Sequence, residues 1–289
     1  MAIRTVSKII TGSPAIDGAG VHLVRVIGSE TVRDFDPFLM LDAFDSTNPA
    51  DYTKGFPWHP HRGIETVTWL AKGKIEHGDS LGNKGTITDG GCQWMTAGSG
   101  IIHQEMPMEA ERMLGLQLWI NMPAKDKMTA PKYHDLRADM IPVIEADGAR
   151  IAVIAGKYRD ISGAMRGNHV DATVLDISLQ AGCSTSIPVL QDNTVFVYLV
   201  DGEISFGEKA NEGESTENSF IDRRRAVLLS GGDTVIMKAS RSKGARCVLF
   251  SGAPLRESIA WGGPIVMNTR EELELAFREL DENTFIKHG

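Results

Sequence analysis

The chain has no apolar run of about 18 residues, so no membrane-spanning helix is expected. Its opening, MAIRTVSKII, lacks a long apolar stretch, and no secretory signal is expected there. Cysteine is scarce: Cys92, Cys183 and Cys247 stand far apart and form no CxxC, which excludes a disulfide framework and reads as reduced thiols in a cytoplasmic protein. Positive charge is also short. Lys and Arg number 30 against 38 Asp and Glu, a formal net charge of -8, which argues against a partner rich in phosphate, whether nucleic acid or anionic membrane. The one dense basic run, Arg223-Arg224-Arg225, reads as a solvated loop or strand end. Helical periodicity is rare too. Its clearest instance is "TREELELAFREL" (269–280), with Thr269 as N-cap, Glu272 three residues on, and Leu273, Leu275, Ala276, Phe277 and Leu280 expected on one face against a sheet.

Glycine, with 30 residues, and short alternating runs are plentiful across the 289 residues. "VHLVRVIG" (21–28), "ETVTWLAKG" (65–73), "ATVLDISL" (172–179) and "NTVFVYLVDG" (193–202) read as short antiparallel strands of a sandwich or barrel. The chain also repeats itself. Superposing Gly73 of "TVTWLAKGKI" on Gly202 of "TVFVYLVDGEI" gives an offset of 129 (202 − 73) and places Trp69 on Tyr198 and Ile75 on Ile204. Gly90-Gly91 and Gly231-Gly232 each precede another strand, at an offset of 141 (231 − 90). A duplicated β-domain is expected, with its boundary in the strand-poor stretch 123–142, giving domains 1–135 and 136–289.

Residues i and i+2 of a strand project from one face, so His59 and His61 of "FPWHPHRGIE" point together if the stretch is extended. Pro60 between them disfavours the helical region for His59 and suits a strand start or edge. A second pair, His103 and Glu105, stands in "GSGIIHQEMP". Adjacent strands each offering such a pair would gather three imidazoles and a carboxylate, a set suited to Fe, Mn, Ni, Co or Cu; zinc accepts the same donors but prefers four-coordination. Glu65, four residues after His61, is a rival carboxylate by strand parity, as ligand or as support for an imidazole, and spacing alone does not choose. His77 could support the site, while His22, His134, His169 and His288 read as structural or exposed, and Trp94 and Met95 as core. At the two offsets His59 and His61 fall on Pro188 and Leu190, Glu65 on Thr194, and His103 and Glu105 on Gly244 and Arg246, so the second repeat should be metal-free.

These motifs closely resemble the pirin family of bicupins. "HPHRGIETVTWLAKG" is similar to the first cupin motif, HxHx3E followed by a Gly turn, and "GGCQWMTAGSGIIHQE" to the second, with Gly98 where a proline is usual. "DGAGVHLVRVIG" (17–28), "DPFLMLDAFD" (36–45), "EHGDSLGNKG" (76–85), "GLQLWINMP" (115–123) and "GGPIVMNTREEL" (262–273) carry the likeness along nearly the whole chain. The resemblance implies an all-β fold of two cupin (double-stranded β-helix, jelly-roll) barrels facing each other, with a short C-terminal helix. It also implies one divalent metal, Fe(II), in the N-terminal barrel only, held by His59, His61, His103 and Glu105.

Two functions follow from the resemblance. One is a quercetin 2,3-dioxygenase-like enzyme that opens flavonols with dioxygen and releases carbon monoxide, with Glu105 as general base. The other is an iron-dependent regulator that binds a transcription factor or metabolic enzyme without touching nucleic acid. A cupin isomerase of small sugars or acids is a third reading, for which the sequence shows no anion-binding cluster. A monomer is expected.

Overall fold

The computed structural model describes residues 1–166, 169–207 and 219–288. Apart from Val32–Phe35 and the terminal helix, the described elements are strands and short 3-10 turns. Among the described residues no helix is long and apolar enough to cross a membrane. Two compact units emerge, and both ends of the chain cross over. One unit comprises Ser13–Ala138, Asn168–Val170 and Leu255–Gly289; the other Met1–Gly12, Asp139–Gly167 and Asp171–Pro254. The terminal helix, expected within 136–289, thus belongs to the unit built mainly from the first half.

That first unit has a seven-stranded antiparallel sheet, ordered Lys132–Leu136, Cys92–Thr96, Ile64–Lys72, Met113–Asn121, Phe38–Ser46, Val21–Ile27, Ser13–Asp17. Its second sheet has four strands, Phe56–His61, Ile101–Pro107, Ile75–Asp79 and Lys84–Ile87. Phe56–His61 lies at the edge, where Pro57 and Pro60, lacking N–H donors, remove little from the ladder.

The other unit repeats this order. Val6–Thr11, Arg225–Leu229, Thr194–Phe206, Ala245–Gly252, Thr173–Leu179, Ala149–Ala155 and Val143–Ala146 form the long path, while Ser184–Pro188, Thr234–Ala239, the end of Thr194–Phe206 and Ile221–Asp222 form the short one. The first strand of the chain, Val6–Thr11, therefore fills here the place that Lys132–Leu136 fills in the first unit. The turns at Gly73 and Gly202, with φ of +114° and +73°, fall at equivalent places, as the 129 offset requires.

The 141 offset is overturned. Cys92–Thr96 matches Arg225–Leu229, and Ile101–Pro107 matches Thr234–Ala239; the two Gly-Gly pairs precede different strands. Register fixes the true equivalents. Glu105 opposes His77 as Met237 opposes Phe206, and His103 opposes His59 as Val235 opposes Ile187. Pro60 therefore matches Pro188, and the counterparts of His59, His61, His103 and Glu105 are Ile187, Val189, Val235 and Met237. The expected Pro188 and Leu190 were one residue out of step, a slip that exchanges the two faces of a strand.

The terminal helix, Arg270–Asp281, has the expected capping box of Thr269 and Glu272. Its buried contact is narrower than the apolar pattern suggested. Ala276 is buried with Leu273 and Leu280 beside it, whereas Leu275 and Phe277 are exposed.

Candidate metal centre and cavity

His59 and His103 face each other across the antiparallel pair of Phe56–His61 and Ile101–Pro107, and His61 lies opposite Ile101. The extended backbone brings the three rings together, with centroids 4.8 Å (His59–His61), 4.3 Å (His59–His103) and 5.0 Å (His61–His103) apart. One nitrogen from each lies within 4.8 Å of the others.

The hydrogen bonds decide what these rings can do. His59 Nδ1 lies 2.8 Å from Pro57 O, and His61 Nδ1 lies 2.9 Å from Pro264 O. A carbonyl only accepts, so both Nδ1 atoms carry the hydrogen and both Nε2 atoms present lone pairs. Those two Nε2 atoms stand 3.0 Å apart. Two lone pairs at that distance repel unless a cation lies between or beside them. Protonation is disfavoured. Burial, together with the neighbouring His59, lowers the pKa of His61 to about 3, and burial, with the three neighbouring histidines, takes His103 well below the ordinary value. His103 is fully buried and neither of its ring nitrogens has a partner. Neutral imidazoles with unpartnered nitrogens converging on one point fit a divalent metal ion.

Glu105 lies on the same strand, buried, beyond a register shift between His103 and itself. Its carboxylate is held by three side chains that the sequence reading missed. Thr68 Oγ1 donates to Oε1 at 2.7 Å, Gln93 Nε2 donates to the same oxygen, and Gln117 Nε2 donates to Oε2 at 3.3 Å. Burial nevertheless raises its pKa to about 7. The group of nitrogens within 4.8 Å is made by the three histidines, while Glu105 lines the cavity beside them. The missed residues left one visible trace. Gln93 and Gln117 are polar residues flanked on both sides by apolar ones, in "CQWM" and "GLQLWI".

Glu65 is placed elsewhere. Gly63, with φ of +77°, separates the strand that ends at His61 from the one that begins at Ile64, so parity does not carry across. Thr68 and Glu65 are an odd number of residues apart on one strand and take opposite faces. Glu65 accepts from Thr96 Oγ1 at 2.7 Å, is fully buried, and does not line the cavity. Burial raises its pKa. His77 opposes Glu105 on the neighbouring strand, bonds Asp79 at 3.1 Å, stacks on Tyr133 at 4.0 Å, and lies 5.4 Å from His103. Trp94 and Met95 are core, as expected.

A cavity of about 760 Å³ opens onto His59, His61 and Glu105. Trp58, Trp119, Trp261, Phe44 and Phe56 contribute aromatic wall, and Trp119 meets His61 edge-on at 4.9 Å. At another part of the wall Arg25 pairs with Asp42 and Asp17, at 2.8 and 2.7 Å.

Comparison with known proteins agrees with this geometry. The family model for pirin matches residues 20–120, and that for the pirin C-terminal cupin domain matches residues 174–286. A pirin-like protein of Caulobacter vibrioides is 42% identical over 288 residues, 99% of this chain and 100% of that one. A Pseudomonas aeruginosa protein provisionally named as a quercetin 2,3-dioxygenase is 43% identical over 282 residues, 96% of each chain. Among solved structures, quercetin 2,3-dioxygenase from Acinetobacter baumannii superposes with a TM-score of 0.86 at 30% identity, covering 98% of this chain and 99% of that one. Two cupin domains, a converging histidine triad and relatives matched end to end lead to one conclusion: this chain belongs to the pirin family.

Proposed function

We propose that the chain is an iron(II)-dependent dioxygenase that opens flavonols such as quercetin. The observation that carries this reading is the cavity of about 760 Å³, in which His59, His61 and Glu105 share one space with aromatic walls. That volume falls in the range of pockets that enclose a drug-sized ligand, roughly 300–1,000 Å³.

His59, His61 and His103 are the proposed imidazole ligands, and Glu105 the fourth donor. Iron held there would supply Lewis acidity and one-electron chemistry toward dioxygen. The remaining work belongs to the chain. Trp119 and Trp261, 6.0 Å apart between ring centroids, offer apolar faces to a flat polyphenol. Glu105, whose buried carboxylate lines the cavity, is positioned to take the proton of the flavonol 3-hydroxyl. Thr68, Gln93 and Gln117 keep that carboxylate oriented.

Anaerobic reconstitution with Fe(II), Mn(II), Ni(II), Co(II) or Cu(II), followed by admission of oxygen, tests the proposal through loss of quercetin's visible absorption. Turnover is expected with Fe(II), and none in His61→Ala. Stoichiometric metal binding without turnover for any ion overturns the flavonol reading. Partner capture that depends on bound metal would then favour the regulatory one.

A further inference from the structure

His59 and His61 have their outward nitrogens fixed by different means. The partner of His59, Pro57 O, is two residues away on its own strand; the partner of His61, Pro264 O, is 203 residues away. Pro264 lies in the turn between Ala260–Gly262 and Ile265–Met267, two short strands of the segment Leu255–Gly289.

That segment is fastened to the residues immediately after His61. Val266 N donates to Arg62 O at 3.1 Å, and Gly63 has no room for a Cβ, which would lie 2.0 Å from Val266 O. The Arg62 side chain, 1% exposed, donates from Nε to Ser99 O at 2.6 Å and from Nη2 to Phe285 O at 2.9 Å. Its guanidinium also pairs with Glu279 at 2.7 Å and sits 4.2 Å from the centre of the Phe285 ring. Lys127, also 1% exposed, donates to Gly63 O at 2.8 Å, Val266 O at 2.8 Å and Asn121 Oδ1 at 2.7 Å. Three acceptors match the three N–H donors of an ammonium, so Lys127 bridges the histidine strand and the returning segment with none of its donors wasted.

We propose that this C-terminal segment is part of the metal centre. Pro264 is a positioning residue that holds the tautomer and ring orientation of His61, and Lys127, Arg62 and Phe285 keep its carbonyl in place. The inference rests on the reading that the histidines bind a metal. Partners of this kind typically govern ligand-site affinity by 10–100-fold. Without the carbonyl, His61 could carry its hydrogen on either nitrogen and rotate about χ2, and the lone pair facing the cavity would no longer be fixed.

The test uses the full chain, with Co(II) as a spectroscopic probe titrated anaerobically against a competing chelator. Lys127→Met and Phe285→Ala are expected to weaken Co(II) binding about tenfold or more and to alter its visible ligand-field bands, with an unchanged far-ultraviolet circular dichroism spectrum. Phe285→Tyr, which keeps the ring beneath Arg62, should restore both readouts. If Phe285→Ala does not fold, Glu279→Gln replaces it, with a loss of about threefold expected from an ion pair that is partly exposed. Wild-type affinity and spectrum in the folded variants overturn the inference. His61→Ala separates the two failures. If it too binds Co(II) normally, the metal reading itself falls; if it alone abolishes binding, only the role of the segment does.

Discussion

The two barrels place side chains of opposite character on the same rungs. In the first, Thr68 opposes Gln93 on one neighbouring strand and Gln117 on the other; in the second, Val197 opposes Val227 and Leu249. Glu105 corresponds to Met237, and the three histidines to Ile187, Val189 and Val235. In the second barrel all these residues belong to, or pack against, one hydrophobic cluster. The backbone ladder is therefore indifferent to whether its interior is a polar donor set or hydrocarbon. The hydrocarbon interior stabilises the fold by burial. The polar one buries three titratable groups, His61, His103 and Glu105, half-buries His59, and needs a supporting hydrogen bond, or a cation, for each of them.

The largest expected effect comes from forcing polarity into the hydrocarbon barrel. Met237→Glu would bury a carboxyl among valines and leucines with no donor at hand, and should destabilise the protein by about 4 kcal/mol in urea unfolding at pH 7. The deficit should shrink on acidification, because burial raises the folded pKa above the unfolded value and favours the protonated form. A loss below about 1 kcal/mol would break the comparison.

The reciprocal exchange should have a smaller effect of opposite sign. Thr68→Val, Gln93→Val, Glu105→Met and Gln117→Leu together convert the first barrel's cradle into the second's. Metal binding should be weakened, while the metal-free protein is as stable as wild type or more stable by about 1–4 kcal/mol in thermal unfolding. A less stable metal-free variant would mean that the cradle supports the fold itself.

The third effect is a pH dependence confined to one barrel. Burial depresses the folded pKa of His61 to about 3 and that of His103 well below its ordinary value. In the unfolded chain both protonate near 6.5. Between those limits the unfolded state binds more protons, so stability falls as pH falls. Metal-free protein should lose about 1.4 kcal/mol per histidine for each pH unit below 6.5. His61→Leu should flatten that slope, as seen by urea midpoints from pH 7 to 5.

What the sequence disclosed follows the distance over which each feature is encoded. The HxH pair was legible because an i, i+2 spacing needs only one extended strand, and Pro60 placed that strand at an edge. The repeat was legible through Gly73 and Gly202, whose positive φ marks equivalent turns. The second offset failed because glycine pairs mark turns in general, and nothing local tells one turn from another. Glu65 was misjudged by parity because a left-handed Gly63 resets the strand. The Thr68, Gln93 and Gln117 cradle is spread over three strands, and Pro264 meets His61 across 203 residues. No spacing rule reaches that far.

The crossing of the chain ends sets an order of assembly. Val6–Thr11 is made more than two hundred residues before its ladder partner, Arg225–Leu229. The carbonyl facing His61 and the ring beneath Arg62 arrive later still, at Pro264 and Phe285. During synthesis Val6–Thr11 must wait for Arg225–Leu229, and the histidine cluster must stand open until Pro264 and Phe285 have left the ribosome. A chain stopped short of Phe285 would carry all three clustered histidines and still lack the ring that backs Arg62, so residues far apart in synthesis must meet before the cluster is closed.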